Sequence, residues 1–414
     1  MSDDAPHDGI APPAFLAAGA PAAVLAALPN ARAVGGCVRD AIAGLPVHDV
    51  DIAAPLPPDD IARRLRDAGL KVFETGLSHG TVTAVLDHQP VEVTALRRDV
   101  ATDGRHAEVA WTTDWRVDAE RRDFTINAMS CDAAGALWDY FDGRADLAAG
   151  RVRFVGDAAT RLREDYLRAL RFFRFWARYG RGAPDADAIA AIRDAVEGLR
   201  ARIAPERIWM ELKRLLAAPD PVAALELMEA TGIRDAALPE AVGVEVLRRL
   251  IALDAPPDPL LRLAATLPPG DAHRRIAARL RLSGEEAARL RLLLDHAPPD
   301  AATLRRFRAQ TASLGPADDV LWLAEARDGA DRAALRARVH AEPVPVFPLH
   351  GRDLLALGVE PGVGMGAALN KLKQAWLDSD CTLTRDELLS RVERRDPNRA
   401  DLPNPRGPHP GPLP

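Results

Sequence analysis

Ala33-Val34-Gly35-Gly36-Cys37-Val38-Arg39-Asp40, followed by His48-Asp49-Val50-Asp51-Ile52, is the stretch on which the fold turns. Its first half reads as a short strand, a tight turn and the start of a helix. Gly35 and Gly36 let backbone N–H groups come close to a phosphate, and a helix N-terminus favours an anion. Arg39, one turn into that helix, is placed to clamp a phosphate oxygen. In the second half, Asp49 and Asp51 stand two residues apart on an expected strand, so their side chains share one face. Paired carboxylates repel unless a cation lies between them, and such oxygen donors suit Mg²⁺. Alone, Gly-Gly reads as an ordinary turn and Asp-x-Asp as a solvated acidic loop. Together, with apolar flanks, they point to metal-assisted chemistry on a nucleoside triphosphate.

Outward from this stretch, short β-like and helical runs alternate from residue 22 to 147. Expected strands are Ala31–Gly35, Val50–Ala53, Lys71–Thr75, Thr81–Leu86 and Val91–Ala95. Expected helices are Val38–Ala43, Asp59–Ala68 and Ile126–Ser130. This mixture predicts an α+β domain. After Gly150 the chain becomes rich in Ala, Leu, Arg and Glu with apolar residues at helical spacing, punctuated by Pro clusters near 255–259 and 297–299. Residues 1–21 and 401–414 lack a pattern and are expected to be flexible.

Two further clusters carry chemistry. Arg121-Arg122-Asp123-Phe124-Thr125-Ile126-Asn127-Ala128 is a basic pair at an expected helix start, with Asp123 or Thr125 as a cap and Arg122 within reach of a triphosphate or ribose. Arg163-Glu164-Asp165-Tyr166-Leu167-Arg168-Ala169-Leu170-Arg171 reads as one helix, with Asp165, Arg168 and Arg171 about 120° apart in total on one face. One reading is a solvated salt-bridge ladder. The other is a base-reading edge. A carboxylate accepts from the amino group of cytosine or adenine, and an arginine donates to the ring nitrogen. Guanine and uracil present the opposite pattern and would leave buried groups unpaired. Glu92, on an expected strand, is either a third carboxylate near the metals or a solvent-facing side chain.

Val34-Gly35-Gly36-Cys37-Val38-Arg39-Asp40 with Asp49-Val50-Asp51 resembles the signature of the nucleotidyltransferase superfamily. More narrowly it is similar to the class II branch of bacterial CCA-adding enzymes and poly(A) polymerases. The resemblance implies a nucleotidyltransferase head with a mixed sheet over 22–147. An all-helical neck over 148–215, body over 216–342 and tail over 343–400 would follow. It implies that Asp49 and Asp51 bind Mg²⁺ and catalyse. Gly35, Gly36, Arg39 and Arg122 would then contact the nucleotide. Glu164, Asp165 and Arg168 match the branch's Glu-Asp-x-x-Arg template motif, and Arg171 matches a nucleotide-contacting position. The implied substrates are CTP, ATP and the 3′ end of tRNA, with no covalent intermediate. A poly(A) polymerase or a partial-CCA enzyme is the alternative. In the branch a loop within 98–116 assists the switch from C to A addition, and Asp103-Gly104-Arg105-His106 matches its commonest form in part. Pro205-Glu206-Arg207-Ile208-Trp209-Met210-Glu211-Leu212 resembles a neck helix, read here as amphipathic packing.

Bulk properties bound the partners. The net charge is −6, which argues against nucleic acid overall, but arginines greatly outnumber acids from Arg151 to Arg181. Cys37, Cys131 and Cys381 are scattered without metal-ligand spacing and suit a reducing compartment. Neither a leader pattern nor a long apolar run is apparent, so a cytoplasmic protein without a membrane contact is expected, with a monomer favoured.

Overall fold

The computed structural model describes residues 5–76, 80–102 and 107–392. Ten strands occur among them: β1 (Asp8–Gly9), β2 (Arg32–Val34), β3 (Asp51–Ala54), β4 (Lys71–Gly76), β5 (Thr81–Leu86), β6 (Gln89–Ala95), β7 (Arg97–Thr102), β8 (Ala107–Trp111), β9 (Ser130–Cys131) and β10 (Ala136–Trp138). Eight form one sheet in the order β1-β10-β9-β2-β3-β6-β5-β4, and β7 and β8 form a separate ribbon. Within the large sheet β3 and β6 run parallel and the other pairs antiparallel, so the sheet is mixed.

The helices of the first half are α1 (Gly19–Ala27), α2 (Gly36–Ile42), α3 (Pro58–Asp67), α4 (Trp115–Glu120), α5 (Gly143–Ala149), α6 (Ala158–Glu164), α7 (Arg168–Tyr179), α8 (Ala186–Asp194), α9 (Val196–Arg202) and α10 (Pro205–Leu216). Local chemistry accounts for the best of them. α3 has Pro58 at its first turn, Asp59 and Asp60 at its positive end and Arg64 and Arg66 at its negative end. It buries Ile61, Ala62 and Leu65 against the sheet, where Ile52, Val82, Val91 and Val93 form the same core with Val24 and Leu28. β5 and β6 are joined by Asp87-His88, both at positive φ, the geometry a two-residue hairpin demands.

The chain divides into two compact units, residues 1–290 and 291–414. In the first, helices continue after α10 to Leu290. In the second, Leu349, Leu354, Leu372, Trp376, Leu377 and Leu388 make a core of their own.

Four expectations need correction. Residues 126–130 are not a helix: Thr125–Asn127 is a single 3₁₀ turn and Ser130 already belongs to β9. Gly143 packs where a Cβ would meet the Thr125 carbonyl at 2.2 Å, so this turn is fixed by tertiary contact and not by helical propensity. The stretch 98–116, expected to hold a loop, carries the β7–β8 ribbon and the start of α4, and Asp103-Gly104-Arg105-His106 lies outside the described residues. Within the arm at 1–21, Asp8–Gly9 pairs with Ala136–Leu137 and Leu16 is buried, so that stretch is tied to the sheet by backbone hydrogen bonds that composition does not reveal. Finally, much of the arginine excess of 151–181 is engaged in ion pairs within the chain, although Arg151 and Arg153 stay about half exposed. Arg151 and Arg153 pair with Asp146, Arg161 and Arg168 with Glu164, Arg171 with Asp123 and Arg174 with Glu211.

Candidate active site

β2 delivers the chain to Gly35, which opens α2 at φ +74 and ψ −122, a conformation left to glycine. A Cβ there would stand 2.8 Å from Arg122 Nη1. The bare turn therefore lets the Arg122 guanidinium lie against it. Arg122 is held from two sides: Nη2 reaches Asp118 Oδ2 at 3.4 Å and Nη1 donates to the Asn127 carbonyl at 3.3 Å. Asp118 also receives Arg121 at 2.8 Å and the Arg97 N–H at 3.1 Å. Burial works to raise the Asp118 carboxyl, but the Arg122 and Arg121 guanidiniums prevail and hold it below the ordinary range. The sequence signal for Asp118 is its spacing of three and four residues from Arg121 and Arg122, just past the end of α4.

Arg39 is only 8% exposed. Its Nη1 donates to Asn127 Oδ1, its Nε to Asp40 Oδ1 at 3.0 Å, and its guanidinium lies 4.5 Å from the centroid of the Tyr179 ring. The Tyr179 hydroxyl donates to Asp40 in turn. Burial pushes that phenol up to about 12. Asn127 donates to Asp123 at 3.0 Å, and Asp123 receives Arg171 Nε at 2.7 Å. A continuous polar chain thus ties the Gly35-Gly36 turn to α7. Burial pushes the Asp123 carboxyl upward, yet Arg171 and Asn127 outweigh it and the net direction is down.

Asp49 is exposed just ahead of β3, and Asp51 is the first residue of β3, in register with Glu92 of β6. The Asp51 carboxyl is raised, first by the walls around it and then by Glu92 and Asp49, against the pull of Arg122. Negative charge is concentrated here beyond what the protein itself compensates, and a divalent cation held by oxygen would relieve it. The donor chemistry therefore fits a hard metal ion at Asp49 and Asp51. Among the described residues no group of three or more His, Cys, Asp or Glu side chains stands ready for a metal.

The third cluster is built differently from its sequence reading. α6 stops at Glu164, Asp165 is extended at φ −154 and ψ 106, and α7 starts at Arg168. Asp165 is not on a helix face with Arg168 and Arg171. Its Oδ1 accepts from the Leu167 N–H at 3.1 Å and its Oδ2 from Arg207 at 2.7 Å. This local bonding competes with helix and breaks it. Arg168 donates to Glu164 and to the Arg161 carbonyl at 3.1 Å. Glu211 of α10, buried at 3% exposure, receives Arg174 at 2.7 Å and lies 3.7 Å from Arg171. Glu211 and Arg207 come from the segment read as packing alone.

A cleft of about 500 Å³ collects these pieces. Gly35, Gly36, Arg39, Asp51, Arg122, Asp165, Arg168 and Arg171 all line it, with Arg174, Arg207 and Phe175. Asp49 stands outside its lining. Seven guanidiniums against three carboxylates, Asp51, Asp123 and Asp165, line the cleft, a surplus of cations that suits a polyphosphate with a base beyond it.

Comparison with known proteins bears on this arrangement. The family described as "Poly A polymerase head domain" matches residues 31–153, and that described as "Probable RNA and SrmB- binding site of polymerase A" matches 184–243. The chain is 36% identical to the mitochondrial CCA tRNA nucleotidyltransferase 1 of Mus musculus over 88% of its own length and 86% of the relative's. It is 37% identical to the Danio rerio counterpart over 88% and 87%. Among solved structures, the CCA-adding enzyme of Bacillus stearothermophilus in complex with CTP superposes with a TM-score of 0.63 at 29% identity, over 84% of this chain and 89% of that one.

Proposed function

The chain belongs to the CCA tRNA nucleotidyltransferase family, and from that premise we propose that it adds C, C and A to the 3′ end of tRNA from CTP and ATP, releasing pyrophosphate. The observation that carries the site assignment is the cleft that brings Asp51 together with Gly35, Arg122, Asp165 and Arg168. Gly36, at the first turn of α2, presents its backbone N–H to the triphosphate, while Gly35, whose own N–H is taken by the Met129 carbonyl at 3.1 Å, leaves room for the phosphates to approach. Arg122, steadied by Asp118, contacts it from above the turn. Arg39 braces the turn against α7 and faces the same cleft. Bound by Asp49 and Asp51, Mg²⁺ ions supply activation of the 3′-hydroxyl and stabilisation of the departing pyrophosphate.

Asp165 and Arg168 form the base-reading edge, and Arg171 supports it. Both readers are already tethered, Asp165 by Arg207 and Arg168 by Glu164. An ordered edge discriminates better than a mobile one, because a mismatched base leaves fixed donors and acceptors unpaired. We keep the division into head, neck, body and tail at 22–147, 148–215, 216–342 and 343–400 as part of this reading. Among the described residues no helix is long and apolar enough to cross a membrane. A cytoplasmic, monomeric enzyme is the form we propose.

The test is the sequence of products made on a tRNA lacking CCA. With CTP and ATP together the expected product ends in CCA, and with CTP alone it ends in CC. A long A tract from ATP alone would favour the poly(A) polymerase reading.

A further inference from the structure

The head carries a second feature on the same sheet face as the catalytic carboxylates. Asp51 on β3 is in register with Glu92 on β6, Glu92 with Thr83 on β5, and Thr83 with Phe73 on β4. Residues directly opposite one another in a sheet point to the same side. These four side chains therefore form one row across four strands. Their chain neighbours Ile52, Val93, Val82 and Val72 point the other way, into the core beneath.

The row ends in an exposed aromatic. Phe73 is 43% exposed, although it sits on a strand whose opposite face is packed. Lys71, two residues earlier and on the same side, places its ammonium 5.1 Å from the centroid of the Phe73 ring. The only other large aromatic exposed in the head among the described residues is Trp111, at 41%, whose ring lies against Gly80 at the start of β5. Three strand spacings separate Asp51 from Phe73, about 14 Å.

The occupant follows from the direction of the reaction. Gly35, Arg122 and the neck arginines lie on the β2 side of Asp51, where the triphosphate binds in the function proposed above. In-line displacement requires the attacking hydroxyl to approach from the side opposite the departing pyrophosphate. That side is the β6–β5–β4 face. We propose that Phe73 is a stacking platform for one of the unpaired bases just upstream of the reacting RNA 3′ end, with Lys71 facing the adjoining phosphate. Every base has a π face, so such a platform accepts each successive end of a growing strand without reading sequence. The ligand class is single-stranded RNA. At a stacked rise of about 3.4 Å per nucleotide, 14 Å spans at most about four residues.

The inference rests on the proposed function, and the experiment separates the two. Wild-type protein and Phe73→Ala are assayed for AMP addition to tRNA ending in CC, varying tRNA and ATP independently. The expected result is a KM for tRNA raised about tenfold or more, an unchanged KM for ATP, and recovery in Phe73→Tyr. In parallel, 5-iodouridine is placed singly at each of the last four positions of the RNA and irradiated in complex with the wild-type protein. The expected cross-link from one of these positions maps to Phe73. An unchanged KM for tRNA in Phe73→Ala, or cross-links that all map elsewhere, overturns the platform while leaving the function intact. A wild-type protein that extends no tRNA overturns the function itself.

Discussion

Asp51 shows how a single position can concentrate uncompensated charge. Its walls, Glu92 and Asp49 all oppose ionisation, and only Arg122 favours it. Asp51→Asn removes one donor while keeping shape. It is expected to lower kcat by about 10²–10³ or more, the scale of losing one electrostatic stabiliser, with tRNA affinity preserved. Full activity in both Asp49→Ala and Asp51→Ala would exclude them as metal holders. Gly35 is the second decisive residue. In Gly35→Ala the methyl group meets Arg122 in a backbone conformation alanine rarely adopts. The expected cost is about 1–3 kcal/mol of stability, read by denaturant unfolding, together with weaker CTP binding. A variant as stable as wild type, with unaltered CTP affinity, would contradict this account of the turn.

The elements that carry the site are joined by buried charge. Asp118 and Asp123 both have carboxyls lowered by arginines against the opposing pull of burial. A carboxyl lowered on folding contributes stability above its unfolded value of about 3.9, and that contribution is lost as pH falls through the folded value. The melting temperature should therefore lose the contribution of these two groups only below about pH 4. The acid-side fall should be shallower in Asp123→Asn, measured by thermal scans from pH 7 to 3; an identical acid limb would refute this. Glu211 faces Arg171, Arg174 and Arg214 from within α10. Glu211→Ala leaves the largely buried Arg174 without its carboxylate, while Arg171 keeps Asp123 and Arg214 is exposed, and it is expected to cost about 3–5 kcal/mol, read by urea unfolding. A loss within about 0.5 kcal/mol, the scale of an ordinary surface change, would show the cluster to be unimportant for stability. At this scale the sequence was legible where periodicity was strong. β5, β4 and α3 lie within a residue or two of their expected bounds. It failed at Asp165, where a capping carboxylate and a distant Arg207 override a run of good helix formers.

For the whole molecule, most arginines of 151–181 are engaged in internal pairs, so local composition overstated the free positive surface. Binding of tRNA still has to release counterions at whatever cations meet its phosphates. Its affinity should fall steeply between 50 and 200 mM salt, a log–log slope of several units by filter binding. A flat salt dependence would show that the RNA is held by non-ionic contacts. The chain's sequence by itself determined the strand–turn–helix of Gly35-Gly36, the acidic pair beside it and the change to helix after Gly150, because each depends on neighbours close along the chain. Only the tertiary structure decided that Asp118 steadies Arg122, that Glu211 holds the arginines of α7, that the helix breaks at Asp165, and that Phe73 shares a row with Asp51. Those relations join residues from different elements through burial and charge, and a linear pattern carries no record of which distant partner a buried group will meet.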